Sequence, residues 1–319
     1  MKRKFARFGA VFLSIYLLTQ SASATTLLIP GGEVIGMHLQ DDTVTVADFD
    51  PTAGQAARSA GLQAGDRLVA IDGKPIHCVS DVRAALLQCD NTVKLSVRRG
   101  DKTRTLTFRP AITETGKKLG VYLRQGTSGL GTVTYYTPEG EFGALGHSVN
   151  DPSGQILSMT AGEIFKATVS GVKKGTIGTP GQLLGAVTGN SAGNLNKNTA
   201  QGVFGKGITG KTPALPVAET EQIRTGPATI RSTVGGQTPR EYSVEILKIY
   251  PNTAAKTRNM LLKVTDPALL SATGGIVQGM SGSPLVQDGK LIGAVTHVLV
   301  NDPTMGYGIF IENMLEAAG

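Results

Sequence analysis

The residues best suited to chemistry lie near the C-terminus, at positions 279–284, with the sequence GMSGSP. A serine with one glycine two positions before it and another directly after it has the spacing of a nucleophile that attacks a carbonyl group. Gly279 lets the backbone turn so that its own N–H and that of Ser281 point at one oxyanion. Gly282 has no side chain to block the approaching carbonyl. A plain Gly/Ser turn between two strands explains the six residues alone equally well.

A serine nucleophile needs a general base, and the chain offers four histidines, His38, His77, His147 and His297. His147 follows an apolar strand and a glycine, so we expect it to emerge at a strand end beside a loop. His297 lies within an apolar run on the strand after the serine, which favours a structural role. We therefore predict that His147 takes the proton from Ser281 and returns it to the leaving amine.

The third group of such a site accepts the Nδ1 proton of the base, and three aspartates are candidates for it. Asp151 is close to His147 in sequence, Asp266 ends an apolar strand before the serine, and Asp302 follows the strand of His297. Each precedes a proline, which is also a common turn signal. The residues alone do not rank the three.

Other kinds of site are poorly supported. Ser283 lacks a following glycine and adjoins Pro284, and the Gly-x-Ser-x-Gly elbow of lipases fails because position 283 is serine. The chain has no His-Glu-x-x-His motif, paired Cys-x-x-Cys or phosphate loop, so we expect no metal and no cofactor. The net charge of +7 includes no long basic run with interleaved aromatics, which argues against nucleic-acid binding.

The elements that must position these residues are mostly strands. The chain has 319 residues, 42 of them glycine, no tryptophan, and many short Val/Ile/Leu/Thr runs, which together indicate about two mainly β domains. At the N-terminus, basic residues precede an apolar run over 8–18, and small residues at 21–24 suit cleavage after Ala24. Residues 1–24 are therefore predicted to be a signal peptide or signal anchor, and the mature chain is expected outside the cytoplasm.

A first domain is predicted over residues 25–112. Strands are expected at 44–47, 67–71, 93–97 and 103–108, helices at 53–60 and 81–88, and a tight hairpin at Asp72-Gly73. Residues 60–73, AGLQAGDRLVAIDG, closely resemble the signature of bacterial PDZ domains, which are peptide-binding modules. The resemblance implies that the segment Ile35, Gly36, Met37, His38 and Leu39 is the carboxylate-binding loop. His38 would then contact a peptide, or else be an ordinary strand residue that faces solvent.

The second domain is predicted over residues 113–319, after a polar linker at 113–118. Its many short strands and glycine turns, for example at 131–136, 161–170, 183–188 and 241–247, are typical of one barrel or a pair of barrels. Residues 143–152 also resemble residues 293–303, with one residue inserted. This repeat fits two related half-domains, one containing His147 and the other His297.

Taken in order, these motifs resemble the SpoIVB-type serine peptidases, the stage IV sporulation protein B family. The resemblance rests on the PDZ signature and on six further segments, at 144–147, 265–270, 274–284, 293–298, 301–303 and 306–308. It implies a chymotrypsin-like double β-barrel whose catalytic triad is His147, Asp266 and Ser281, with the backbone of Gly279 and Ser281 as oxyanion hole.

The resemblance also implies a role. Such peptidases enter the space between the two forespore membranes, cleave themselves, and cleave a regulatory subunit of an intramembrane metalloprotease, so that a late sigma-factor precursor is processed. The PDZ domain would engage peptide C-termini or internal strands. The family's longer segment before the PDZ domain is missing here, which leaves self-cleavage open. Alternatives are a non-catalytic PDZ scaffold with a degenerate peptidase domain, and a general extracytoplasmic quality-control protease.

Overall fold

The structure is a computed structural model that describes residues 26–152, 154–251 and 256–319. The predicted signal segment, residues 1–24, lies outside the described residues. Within the described ranges, no helix has the length and apolar character needed to cross a bilayer.

The first part of the chain alternates short strands with two helices, because apolar and polar residues alternate along the strands and glycine turns separate them. These elements are β1 (Leu27–Pro30), β2 (Val34–Phe49), α1 (Gln55–Ser59), β3 (Arg67–Ile71), β4 (Lys74–Pro75), α2 (Val79–Gln88), β5 (Val93–Arg99), β6 (Lys102–Phe108), β7 (Ala111–Thr113), β8 (Gly116–Lys118) and β9 (Val121–Tyr136).

The remaining elements are again mostly strands. They are β10 (Glu141–Ala144), β11 (Ala161–Lys173), β12 (Gln182–Thr199), β13 (Gly202–Lys206), β14 (Leu215–Pro216), a 3-10 helix (Thr220–Gln222), β15 (Gly226–Ser232), β16 (Arg240–Ile249), β17 (Met260–Val264), α3 (Pro267–Thr273), β18 (Pro284–Gln287), β19 (Lys290–Leu299), β20 (Asp302–Phe310) and α4 (Ile311–Ala318).

Antiparallel pairings close a first barrel of six strands. Strand β9 pairs with β10, β10 with β13, β13 with β12, β12 with β11, β11 with β2, and β2 with β9 again. Alternate residues of β2 point into its core, so that Ile35, Met37 and Leu39 pack with Phe142 and Ile164. A second barrel closes in the order β15-β16-β17-β20-β19-β18 around its own larger core. The predicted mainly β fold with two barrels is confirmed.

The PDZ portion grows out of the first barrel. Past residue 40, β2 continues away from the barrel and pairs there with β3 and with the start of β9, and β5 and β6 extend this sheet. Its core is separate from that of the barrel, and α2 contributes Val82, Ala85 and Leu86 to it. Asp66 of the signature is wholly buried in a two-pronged ion pair with Arg99, so this part of the signature serves the structure.

The shared strands place the domain boundary differently from the predicted division at residue 112. Residues 27–40 pair with barrel strands, although they precede the PDZ signature, and the PDZ portion lies between the barrel halves of β2 and β9. The local elements agree closely with prediction. Strand β3 has the predicted bounds, α2 starts two residues earlier than expected, and Asp72 and Gly73 both have the positive φ of the predicted hairpin.

Candidate active site

The loop between α3 and β18 presents Ser281 through two glycines with positive φ, Gly279 at 99° and Gly282 at 95°. A Cβ on Gly282 would lie 2.0 Å from the carbonyl oxygen of Thr132 and 2.5 Å from the nitrogen of Leu145. Glycine is therefore required at 282, because the loop touches the backbone of the first barrel there. From the sequence, we expected the glycine at 282 to leave an open approach for the substrate. In the structure, the reason for this glycine is close packing between the two barrels.

The two predicted oxyanion donors are available. No hydrogen-bond acceptor for the N–H of Gly279 or of Ser281 is present among the described residues, whereas the flanking Met280 and Gly282 N–H groups donate to Val277 O and Val295 O. These two unpaired N–H groups, one of half-buried Ser281 itself and one two residues before it, are of the kind that can bind developing negative charge.

His147 follows β10 through a tight turn in which Leu145 and Gly146 have φ of 69° and 70°. Left-handed backbone is unusual for leucine, and such strain commonly occurs at functional sites. Leu145 is buried and its N–H donates to Thr132 O at 3.2 Å, which holds the strained turn in place.

The ring of His147 has a defined tautomer. Its Nδ1 lies 2.8 Å from the carbonyl oxygen of Ser148, and because a carbonyl can accept but not donate, Nδ1 carries the proton. Nε2 is then unprotonated and able to act as a base. Burial lowers the pKa of His147 below its ordinary value, opposed by the hydrogen bond to Ser148, so the ring stays neutral into mildly acidic solution.

Ser281 and His147 line one cleft of about 500 Å³ between the barrels. The Oγ of Ser281 donates to Thr296 O at 2.8 Å, and no hydrogen bond joins it to an imidazole within the described chain. The lining residues are mostly apolar or small, and none is Asp, Glu, Lys or Arg. They include Met37, Leu39, Leu130, Leu145, Val149, Ile276, Val277, Val298 and Val300.

His297 lines the same cleft, although the sequence favoured a structural role for it. The ring centroids of His147 and His297 are 5.2 Å apart, with planes tilted by 42°. Burial above all, and then the electrostatic influence of the neighbouring His147 and Arg258 side chains, lowers the pKa of His297 to about 4. Its Nδ1 is buried without a hydrogen-bond partner in the described structure. The two histidines come from the related segments of the sequence, one from each barrel.

The structure does not bring Asp266 to this cleft. Its Oδ1 accepts the N–H groups of Ala268 and Leu269 at 2.9 and 3.0 Å, and its Oδ2 accepts that of Ser243 at 3.3 Å. Asp266 is the N-cap of α3, the helix in which proline occupies the first position. Its role as the third catalytic residue stays a prediction that this conformation does not realise.

The two other aspartates also lie outside the cleft lining. An oxygen of Asp151 accepts the Gln155 N–H, and an oxygen of Asp302 accepts the N–H and hydroxyl of Thr304. The group that accepts the Nδ1 proton of His147 is therefore the Ser148 carbonyl.

Asp266→Asn separates the capping role from a catalytic one. Asparagine caps helices as well as aspartate does, so we expect kcat to stay within about tenfold of wild type. Asp266→Ala is the matched control, which should lower stability by about 1 kcal/mol through the lost cap. Both variants are compared by kcat on a peptide substrate and by thermal unfolding. A loss of about 10³ or more in Asp266→Asn would show that this carboxylate reaches His147 in the working enzyme.

The predicted PDZ contacts are wrong in their placement. Strand β2 is paired on both edges over this segment, with β11 along residues 35–40 and with β9 along residues 34–39. Ile35, Met37 and Leu39 are buried in the first barrel, and the Nδ1 of His38 is hydrogen-bonded to the hydroxyl of Ser128. A strand with two paired edges cannot accept a peptide strand.

The described PDZ portion has open edges at β6 and at the start of β9, and the edge of β9 is the one beside helix α2. Residues 121–125 pair with β2 on one side, and no strand in the described chain pairs with their other side. Helix α2 runs alongside, where the Val79 N–H donates to the side-chain oxygen of Gln125. Tyr122 and Leu87 are 54% and 76% exposed, although both are large and apolar. This edge is where a peptide strand could be added.

Sequence reasoning missed Thr132, which holds the nucleophile loop from the first barrel, and its neighbour on the same strand face, Thr134, which contacts the chain beyond the serine. Their hydroxyls donate to Gly279 O and Gly282 O at 2.7 and 2.8 Å, and both residues are wholly buried. A signal was present, because the predicted strand at 131–136 places both threonines on one face. A buried hydroxyl needs a partner, but the partner lies about 150 residues away in the chain.

Two β-barrels that share a cleft with a serine, a histidine and two N–H donors without acceptors define the serine peptidase class. This chain adds a PDZ portion. The chain belongs to the SpoIVB peptidase S55 family, whose model matches residues 115–315. A PDZ domain model matches residues 34–109.

Individual relatives are more distant. A Clostridium perfringens (strain 13 / Type A) protein named as a zinc metalloprotease, CPE1693, is 38% identical over 61 residues, which are 19% of this chain and 18% of that one. A Rhizobium meliloti (strain 1021) protein named in the same way, R01501, is 36% identical over 78 residues, 24% and 21% of the two chains. The chain thus spans about a fifth of the length of these curated relatives.

Two solved structures that superpose on part of this chain are proteases. The Rv3671c protease from M. tuberculosis in its active form has a TM-score of 0.37 at 15% identity, covering 60% of this chain and 75% of that one. The HtrA-type protease AlgW with a decapeptide has a TM-score of 0.36 at 15% identity, covering 64% and 56%.

Proposed function

We propose that the protein is a serine endopeptidase with Ser281 as nucleophile and His147 as general base. The observation that carries the proposal is the pair of unpartnered N–H groups beside Ser281, in a cleft that also holds a histidine with its Nε2 unprotonated. The alternative of a degenerate peptidase domain does not explain why the donors, the serine and the base face one cleft.

The reaction follows from these positions. The Ser281 hydroxyl leaves the Thr296 carbonyl and turns to His147, whose Nε2 takes the proton as Oγ attacks the scissile carbonyl carbon. The N–H groups of Gly279 and Ser281 bind the oxyanion that forms. His147 then gives the proton to the leaving amine, and the C–N bond breaks. A water molecule, deprotonated by His147, hydrolyses the acyl group from Ser281.

The cleft favours an apolar substrate side chain. Its walls carry leucine, isoleucine, valine and methionine, and none of the described residues that line it is Asp, Glu, Lys or Arg. A buried charge without a partner is costly, so acidic and basic side chains are disfavoured beside the cleaved bond. The peptide segments cut should therefore have an apolar residue next to that bond.

The physiological role that we propose is sporulation signalling, with the enzyme in the space between the forespore membranes, secreted or anchored by its N-terminal segment. Its targets are the chain itself and a regulatory subunit of an intramembrane metalloprotease, so that a late sigma-factor precursor is processed. Family membership supports this role. Two relatives that share a short segment with this chain are named as zinc metalloproteases, which fits a connection with that enzyme class. The PDZ portion would engage the target as an added strand.

The experiment that tests this function uses two substrates, the Ser281→Ala protein and the extracytoplasmic part of the regulatory subunit. We expect the wild-type enzyme to cut both, and mass spectrometry to find an apolar residue beside each cut. A general quality-control protease would instead degrade unrelated unfolded proteins at comparable rates. Absence of any cleavage would favour the non-catalytic scaffold.

A further inference from the structure

Thr132 joins the two barrels at the nucleophile loop. Its hydroxyl donates to Gly279 O at 2.7 Å and its N–H donates to Ser281 O at 3.0 Å. Its own carbonyl accepts the Leu145 N–H at 3.2 Å, in the turn that leads to His147. The residue is wholly buried in β9, a strand of the first barrel. One residue thus holds both the loop of the serine and the turn of the histidine.

These bonds act on the peptide planes around the oxyanion donors. The Gly279 carbonyl shares its plane with the Met280 N–H, which is itself hydrogen-bonded within the loop. The Ser281 carbonyl shares its plane with the Gly282 N–H, which donates to Val295 O at 2.7 Å. Each of these two peptide planes is therefore hydrogen-bonded through both its carbonyl and its N–H. The peptide plane that carries the Ser281 N–H lies between them. Rotation of that plane would have to break bonds on each side.

We propose that Thr132 is a positioning residue of the oxyanion hole, which sets the directions of the Gly279 and Ser281 N–H groups from the opposite barrel. The inference rests on the proposed function of Ser281. Oxyanion stabilisation depends on donors that are already oriented before charge develops, so a loosened loop lowers the rate of the chemical step more than it weakens substrate binding.

Thr132→Val tests the role, because valine keeps the shape and the backbone bonds and removes the hydroxyl donor. We expect kcat to fall about tenfold to hundredfold with little change in KM, a smaller loss than deletion of an oxyanion donor causes. The affinity for a peptidyl boronic acid, whose tetrahedral adduct places an oxygen at these N–H groups, should fall in parallel. Thr132→Ser keeps the hydroxyl and should restore kcat.

Thr134→Val is the matched control. Thr134 lies on the same face of β9, is equally buried, and donates to Gly282 O at 2.8 Å, two peptide planes beyond the one that carries the Ser281 N–H. It should lose similar stability and retain kcat. If Thr132→Val does not fold, Thr132→Cys, a weaker donor of similar size, should give an intermediate kcat.

Equal kcat losses in the two valine variants, or a rise in KM alone, would overturn the proposal. The proposed function fails separately, by retained cleavage in Ser281→Ala within the same assay.

Discussion

Ser281→Ala should lower kcat by about 10⁶ and leave the fold intact, since loss of a serine nucleophile removes the covalent route entirely. The hydroxyl makes one hydrogen bond, to Thr296 O, and the side chain is half-buried, so alanine leaves no large cavity. Residual cleavage would come from the oxyanion donors and substrate binding alone. The measurement is single-turnover cleavage of a peptide with an apolar residue beside the scissile bond.

Ser283→Ala is the control for this result. The hydroxyl of Ser283 donates to that of Ser232 at 2.9 Å, and both residues are wholly buried in the second barrel. Loss of the Ser283 hydroxyl leaves the buried hydroxyl of Ser232 with fewer partners, so stability should decrease by about 1 kcal/mol with kcat nearly unchanged. Cleavage that persists in Ser281→Ala and disappears in Ser283→Ala would transfer the nucleophile to the second serine.

Local patterns predicted the parts of the site that depend on neighbours in sequence. The glycines at 279 and 282 mark the loop of Ser281. The strand and turn inside the PDZ signature, and the helix after it, were predicted with nearly the right bounds. Such elements are fixed by turn chemistry and by periodicity over a few residues, which one sequence displays.

The remaining features of the site depend on pairing between residues far apart in the chain, which local sequence patterns do not show. The PDZ resemblance implies that the segment from Ile35 to Leu39 is a binding loop. In the structure, β9 and β11, which come later in the chain, pair with both edges of this segment. The family resemblance implies that Asp266 is a triad member, but an aspartate before proline is also a favourable helix N-cap, and Asp266 caps α3 in this way. Likewise Thr132 reads as an ordinary strand residue until its partner from the other barrel is known.

His147→Gln should lower kcat by about 10³ to 10⁴, the usual loss of a general base. The pH profile gives a second readout, because the base must be neutral to accept the proton of Ser281. Burial lowers the pKa of His147, so the acid limb of kcat/KM should have its midpoint below the value of about 6.5 expected for an ordinary histidine. A histidine of ordinary pKa would instead lose half of the rate near pH 6.5.

His297→Gln is the matched control, since both histidines line the cleft and their rings are 5.2 Å apart. The pKa of His297 is about 4, so the ring is neutral near pH 7, and its Nδ1 is buried without a hydrogen-bond partner in the described structure. We expect kcat within about tenfold of wild type, as for a residue outside proton transfer, and an acid limb that persists. Loss of that limb in His297→Gln, with His147→Gln active, would make His297 the base, because a proton acceptor cannot be removed without removing its titration from the profile.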